Sequence, residues 1–128
     1  MKGSVPPMAP TGRAQIGQSP VALPETVLRA LAAYRRGEYA EAERLCRMVV
    51  DAKADYFEAL YLLGIIAGRA GRAQDASELL RRALSVNPHS ADAHFNRGVA
   101  LGELGRPEEA LESYERAIEL RRDYADAY

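Results

Sequence analysis

A chain of 128 residues, 48% of them apolar, can bury one modest core and is too short for two ordinary domains. Its net charge of −1 gives no electrostatic reason to expect nucleic acid or an anionic membrane as target. The single cysteine, Cys46, excludes an internal disulfide scaffold and a cysteine-based metal site.

The first 24 residues carry Lys2 and Arg13 but no acid, and hold five of the seven prolines: Pro6, Pro7, Pro10, Pro20 and Pro24. Residues 1–23 are expected to form an extended or disordered tail. They contain no continuous apolar run that would make a secretory signal, and no segment is long enough to span a bilayer. A cytoplasmic setting fits, and the near-exclusion of lysine in favour of arginine suits a GC-rich, bacterial source.

From Pro24 onward apolar residues recur at three- and four-residue spacing, and no segment alternates as a strand would. The predicted helices are 24–36, 39–52, 56–70, 73–86, 91–104 and 107–121. Pro24 and Pro107 suit first helical turns, where a missing N–H loses no partner. Asp55 with Glu58 makes a D-x-x-E pattern, close to a capping box, ahead of the third helix. Ser90 can cap the fifth, with Asp92 in its first turn favoured by the helix dipole. Gly37, Gly71 and Gly105 stand where a left-handed residue would end the first, third and fifth helices, and Pro88 stops the fourth.

Those three glycines are 34 residues apart, and Ala42, Ala76 and Ala110 each follow by five positions. Residues 57–90 and 91–124 match further at Ala59 and Ala93, Gly64 and Gly98, Gly68 and Gly102, and Ala83 and Ala117. Residues 23–56 keep the register loosely, with Ala30 in place of Gly64 and Val49 in place of Ala83. A constant period in this range marks stacked helical hairpins, each burying its apolar face on its neighbours. DYADAY, from Asp123 to Tyr128, reads as the opening of a fourth unit, since Ala127 follows Ala93 by one period. The sequence therefore predicts an all-α superhelix of three units over residues 24–128, with the start of a fourth at 125–128.

Over about residues 23–128 the chain resembles the tetratricopeptide repeat family, a 34-residue helix-turn-helix unit with small residues at fixed positions. Ala93, Gly98, Gly105, Ala110, Tyr114 and Ala117 carry the likeness in the third unit, and Leu60, Leu63, Gly64, Gly71, Ala76, Leu80, Ala83 and Pro88 in the second. The departures are Thr26 and His94 at a position often tryptophan, Arg97 for the usual leucine before the glycine, and Arg122 for the closing proline. Family members stack into a right-handed superhelix whose concave face, lined by the first helix of each unit, usually grips a peptide or partner helix. That resemblance places Val27, Leu28, Leu31, Tyr34 and Arg35 on the concave face from the first unit. Glu58, Tyr61, Leu62, Ile65 and Arg69 join them from the second, and Asp92, Phe95, Asn96, Val99 and Glu103 from the third. Leu28, Leu31, Tyr34, Tyr61, Leu62, Ile65, Arg69, Phe95, Asn96 and Val99 are the candidate groove residues.

The subclass that clamps a C-terminal carboxylate uses cations at positions held here by Val27, Leu31, Leu62, Asp92 and Asn96, so such a clamp is not expected. Two readings of the apolar run stay open: a groove for a partner helix or apolar peptide, or packing against the chain's own tail and neighbouring helices. Asn96 resembles the asparagines lining the repeat arrays of O-linked N-acetylglucosamine transferases, so a substrate-recruiting part of a larger enzyme is one alternative. Self-association through the C-terminal end is another.

No catalytic signature accompanies the repeats, so no enzyme activity and no cofactor or metal is expected. His89 and His94 lack the clustered cysteines or carboxylates that zinc needs. Cys46 sits at a large-apolar position and reads as a buried, inert thiol. Glu78 with Arg82, and Glu112 with Arg116, are predicted surface pairs at four-residue spacing. The glycines between Gly64 and Gly71 lack a Lys-Ser or Lys-Thr pair and fall inside a hairpin, which excludes a phosphate loop. What remains is a protein-interaction scaffold.

Overall fold

A computed structural model describes residues 22–127, with side chains through Asp123. Six helices follow in order: α1 (Leu23–Arg35), α2 (Tyr39–Ala52), α3 (Phe57–Arg69), α4 (Ala73–Val86), α5 (Ala91–Glu103) and α6 (Pro107–Ala127). No strand occurs among the described residues. The expected tail lies outside the described residues up to position 21, and Leu23 already belongs to α1.

Each hairpin turns on its glycine. Gly37, Gly71 and Gly105 have φ of 81°, 79° and 76°, the left-handed region that costs glycine little. The residue after each glycine donates its N–H back into the preceding helix: Glu38 to the Ala33 carbonyl at 2.8 Å, Arg72 to Ala67 at 2.9 Å, and Arg106 to Leu101 at 2.9 Å. These bonds satisfy carbonyls that the helix end leaves free, so the chain reverses with its backbone paired. Ser90 caps α5 as predicted, its Oγ accepting from the Ala93 N–H at 3.1 Å. Asp55 does not cap α3. Tyr56 holds the cap position without a side-chain bond, while Asp55 pairs with Lys53 at 3.1 Å, and that ammonium lowers the carboxyl's pKa.

Packing follows the chain. In each hairpin the first, A helix (α1, α3 or α5) pairs with the second, B helix (α2, α4 or α6), and successive hairpins join through α2 on α3 and α4 on α5, with lighter contact between α1 and α3 and between α3 and α5. That is a nearest-neighbour solenoid. Its core runs through Ala33, Leu45, Val49, Leu60, Leu63, Ile66 and Ala67, each buried, and burying such a leucine or isoleucine contributes about 1.5–3 kcal/mol.

The small residues have a specific reason. A Cβ on Gly64 would meet Leu80 Cγ at 2.7 Å, and one on Gly98 would meet the Tyr114 ring at 2.7 Å. In the first unit the same two positions hold Ala30 and Cys46, both fully buried. A small side chain on the B helix thus goes with a methyl on the A helix. Burial also raises the Cys46 thiol to about 11, which makes it the inert thiol the sequence suggests.

Two expectations are corrected. The last helix runs unbroken to Ala127 instead of ending near 121, because Arg122 replaces the proline that stops α4, and no glycine follows. Residues 125–127, read as opening a fourth unit, continue α6, and Tyr128 lies outside the described residues. The surface pairs also form at three-residue spacing: Glu78 with Arg81 and Glu119 with Arg116, the latter at 3.2 Å. Arg82 instead donates to the Ala54 carbonyl at 3.4 Å, tying α4 to the loop between α2 and α3.

Candidate functional site

Because α1, α3 and α5 stand side by side, residues at equivalent positions 34 apart line up across one face. Five predicted residues meet there: Tyr34, Ile65, Arg69, Asn96 and Val99 line one cavity of about 310 Å³. Gly64 and Gly68 on α3, Ala76 and Leu80 on α4, and Ala100 and Glu103 on α5 complete it. Gly64 lets Leu80 pack close beneath the face, Gly68 adds no side chain to the wall, and Ile65, Leu80, Val99 and Ala100 supply the apolar part of the lining. Gly68 was legible as a repeat match but not as a wall, since sequence alone does not say which side of a small residue stays empty.

Arg69 stands at the rim. Its guanidinium carbon lies 5.9 Å from the centroid of the Tyr34 ring and 5.2 Å from that of Tyr39, within range for a cation held over aromatic faces. The two rings pack on each other at 5.3 Å between centroids. Tyr61 flanks the face, stacked on Phe57 at 5.7 Å and half-buried. Its phenol pKa is raised, first by burial and then by the Asp92 charge.

Asn96 is committed within the fold. Its Nδ2 donates to the Asp92 carbonyl at 2.8 Å and toward the Tyr61 hydroxyl at 3.4 Å. A side-chain amide has two N–H donors, so holding a peptide backbone through both ends of the amide would require breaking these bonds.

The other predicted residues fall elsewhere. Leu62 is 6% exposed and belongs to the core, since α3 is wrapped by α1, α2, α4 and α5. Leu28, 65% exposed, and half-buried Leu31 lie on α1 outside the cavity. Phe95 turns toward α6, its ring 5.5 Å from Tyr114, and lines a second, apolar cavity of about 330 Å³ with Ala117, Ile118 and Arg121. His94 bonds the Pro88 carbonyl at 2.9 Å. Among the described residues no group of three His, Cys, Asp or Glu is placed to hold a metal, and no helix is long and apolar enough to cross a membrane.

The comparisons with known proteins fit this geometry. A tetratricopeptide repeat family model matches residues 61–127, more than half of the chain, and a second matches residues 26–48. The chain belongs to the tetratricopeptide repeat family. Its helical hairpins superpose on a variant of the Thermobaculum terrenum O-GlcNAc transferase with a TM-score of 0.77 at 34% identity, covering 86% of this chain and 21% of that one. A variant of MamA gives a TM-score of 0.72 at 25% identity, covering 81% and 76%. The first tetratricopeptide repeat domain of Spaghetti (RPAP3), solved with an HSP90 peptide, gives 0.73 at 23% identity over 77% and 78%. The chain thus spans about a fifth of the transferase. No curated protein matches it.

Proposed function

We propose that this tetratricopeptide repeat chain is a protein-interaction scaffold that takes a peptide segment of a partner protein on the face formed by α1, α3 and α5. The observation that carries this is the convergence of Tyr34, Ile65, Arg69, Asn96 and Val99 around one open hollow of mixed polar and apolar lining that Gly64 and Gly68 also border. A hollow of this kind matches the way apolar anchors of extended or helical peptides are held. The reading sets the protein in the cytoplasm, with no disulfide to form and no catalysis of its own. The test is replacement of Val99, 37% exposed, by tryptophan to fill the hollow. Peptides bound by the intact chain are expected to be lost by the variant while its melting temperature stays unchanged, and equal binding by both would refute the groove.

A second reading is favoured by a separate observation. Phe95, Leu111 and Ile118 are 47%, 57% and 55% exposed on α5 and α6, next to the apolar cavity beside Tyr114. That face suits stacking on a further helix, including one from a second copy. Light scattering of the chain and of Ile118→Glu decides it: equal, monomeric masses at high concentration remove self-association. Recruitment of substrate for an attached glycosyltransferase draws support from the 34% identity to the transferase's repeats, and the occupied amide of Asn96 counts against it.

A further inference from the structure

Several arginines on α2 and α6 pair within their own helix: Arg44 with Glu41 at 2.8 Å, Arg47 with Glu43 at 3.3 Å, and Arg116 with Glu119 at 3.2 Å. Arg72, just past α3, likewise reaches Glu43 across the repeat boundary at 3.3 Å. Arg69 behaves differently. It makes no ion pair among the described residues, and what orients it is the pair of rings of Tyr34 and Tyr39. An aromatic face fixes a guanidinium plane without cancelling its charge, so Arg69 stands as a positioned, uncompensated cation at the rim of the hollow. Glu103 lines the same hollow without pairing to it.

The repeat adds direction. Arg35, Arg69 and Glu103 occupy one equivalent position, in the last turns of α1, α3 and α5. Arg35 also makes no ion pair among the described residues. At this repeat position the charge is positive in the first two units and negative in the third.

We propose that the segment bound on this face carries a carboxylate side chain close to an aliphatic one, the carboxylate seated on Arg69 and the aliphatic group in the hollow over Gly64 and Gly68. A planar guanidinium matches a carboxylate with two parallel hydrogen bonds, and the adjoining apolar walls supply the anchor. The occupant is an acidic-aliphatic peptide of a partner protein. The proposal rests on the groove reading above and names the chemistry of what the groove takes.

The experiment uses random ten-residue peptides displayed on phage, selected against the full chain, Arg69→Gln, Arg69→Glu and Val99→Trp. Peptides selected by the unaltered chain are expected to carry Asp or Glu within a few residues of Leu, Ile or Val and to be lost on Val99→Trp. A synthetic peptide from that pool should bind Arg69→Gln about tenfold or more weakly, and Arg69→Glu should select Lys or Arg in place of the acid. Peptides lost on Val99→Trp but equally acidic and equally tight on Arg69→Gln would overturn the carboxylate site and leave the groove intact. Selection of no peptide sensitive to Val99→Trp would overturn the groove and the carboxylate site together.

Discussion

The α3–α4 and α5–α6 hairpins are written in one register, yet they bury different surfaces. Leu62 is 6% exposed while its equivalent Asn96 is half-buried and hydrogen-bonded. Tyr61 stacks on Phe57 under cover, while Phe95 is 47% exposed. Leu84 is half-buried and Ile118 is 55% exposed. The central hairpin has a packed neighbour on each side and the other, among the described residues, has one. A repeat position therefore specifies which way a side chain leaves its helix, and the neighbouring hairpin specifies whether it is buried.

Exchanging residues between the two hairpins gives the largest test. Leu62→Asn should cost about 3 kcal/mol, because it removes a buried leucine and leaves an amide in the core. Asn96→Leu should change stability by less than about 1 kcal/mol, the worth of a partly exposed hydrogen bond. Chemical denaturation measures both, and equal losses would break the comparison.

The contact between paired helices comes next. Gly98→Ala should cost about 2 kcal/mol by pressing its new methyl on Tyr114, and most of that extra cost should vanish in a Tyr114→Cys background. The double variant rebuilds the Ala30 and Cys46 arrangement of the first unit. A double-mutant cycle without coupling would remove that explanation of the glycines. Gly71→Ala should cost about 1 kcal/mol for a different reason, its φ of 79°, with no clash to relieve.

The caps give a smaller contrast. Ser90→Ala should lower stability by about 1 kcal/mol, since its Oγ holds an α5 N–H, whereas Asp55→Ala removes only an exposed pair and should cost less than about 0.5 kcal/mol. Thermal melts of the two variants separate them. Cys46 supplies a check by pH. Its folded pKa is raised by burial, so its contribution is complete below the unfolded thiol's range and is lost as pH rises toward about 11. Cys46→Ala should flatten that alkaline decline, measured by denaturation between pH 8 and pH 11, a window taken from the ordinary and raised thiol values.

Part of the cavity's lining was legible in the chain. The 34-residue register, read with the family resemblance, put Tyr34, Ile65, Arg69, Asn96 and Val99 on the concave face, and the structure brings all five to one hollow. Leu62 was misplaced because the same register does not weigh α3's apolar character all round, which lets it be wrapped on several sides. Phe95 was misplaced because a large ring at that position follows the Tyr114 ring beside it on α6 instead of the neighbouring A helix. Arg69 was named as a groove residue, but its hold on two rings depends on Tyr39, which begins α2 in the preceding hairpin.

Sequence by itself determined the elements. Period, glycines and small residues dictate helical hairpins and their turns, because positive φ and close helix approach admit few other residues. Tertiary structure decided which of the aligned side chains are free to bind. Burial is a property of two neighbouring surfaces, so Leu62 and Asn96 share a position in the repeat and part company only when α3 is enclosed and α5 is left partly open.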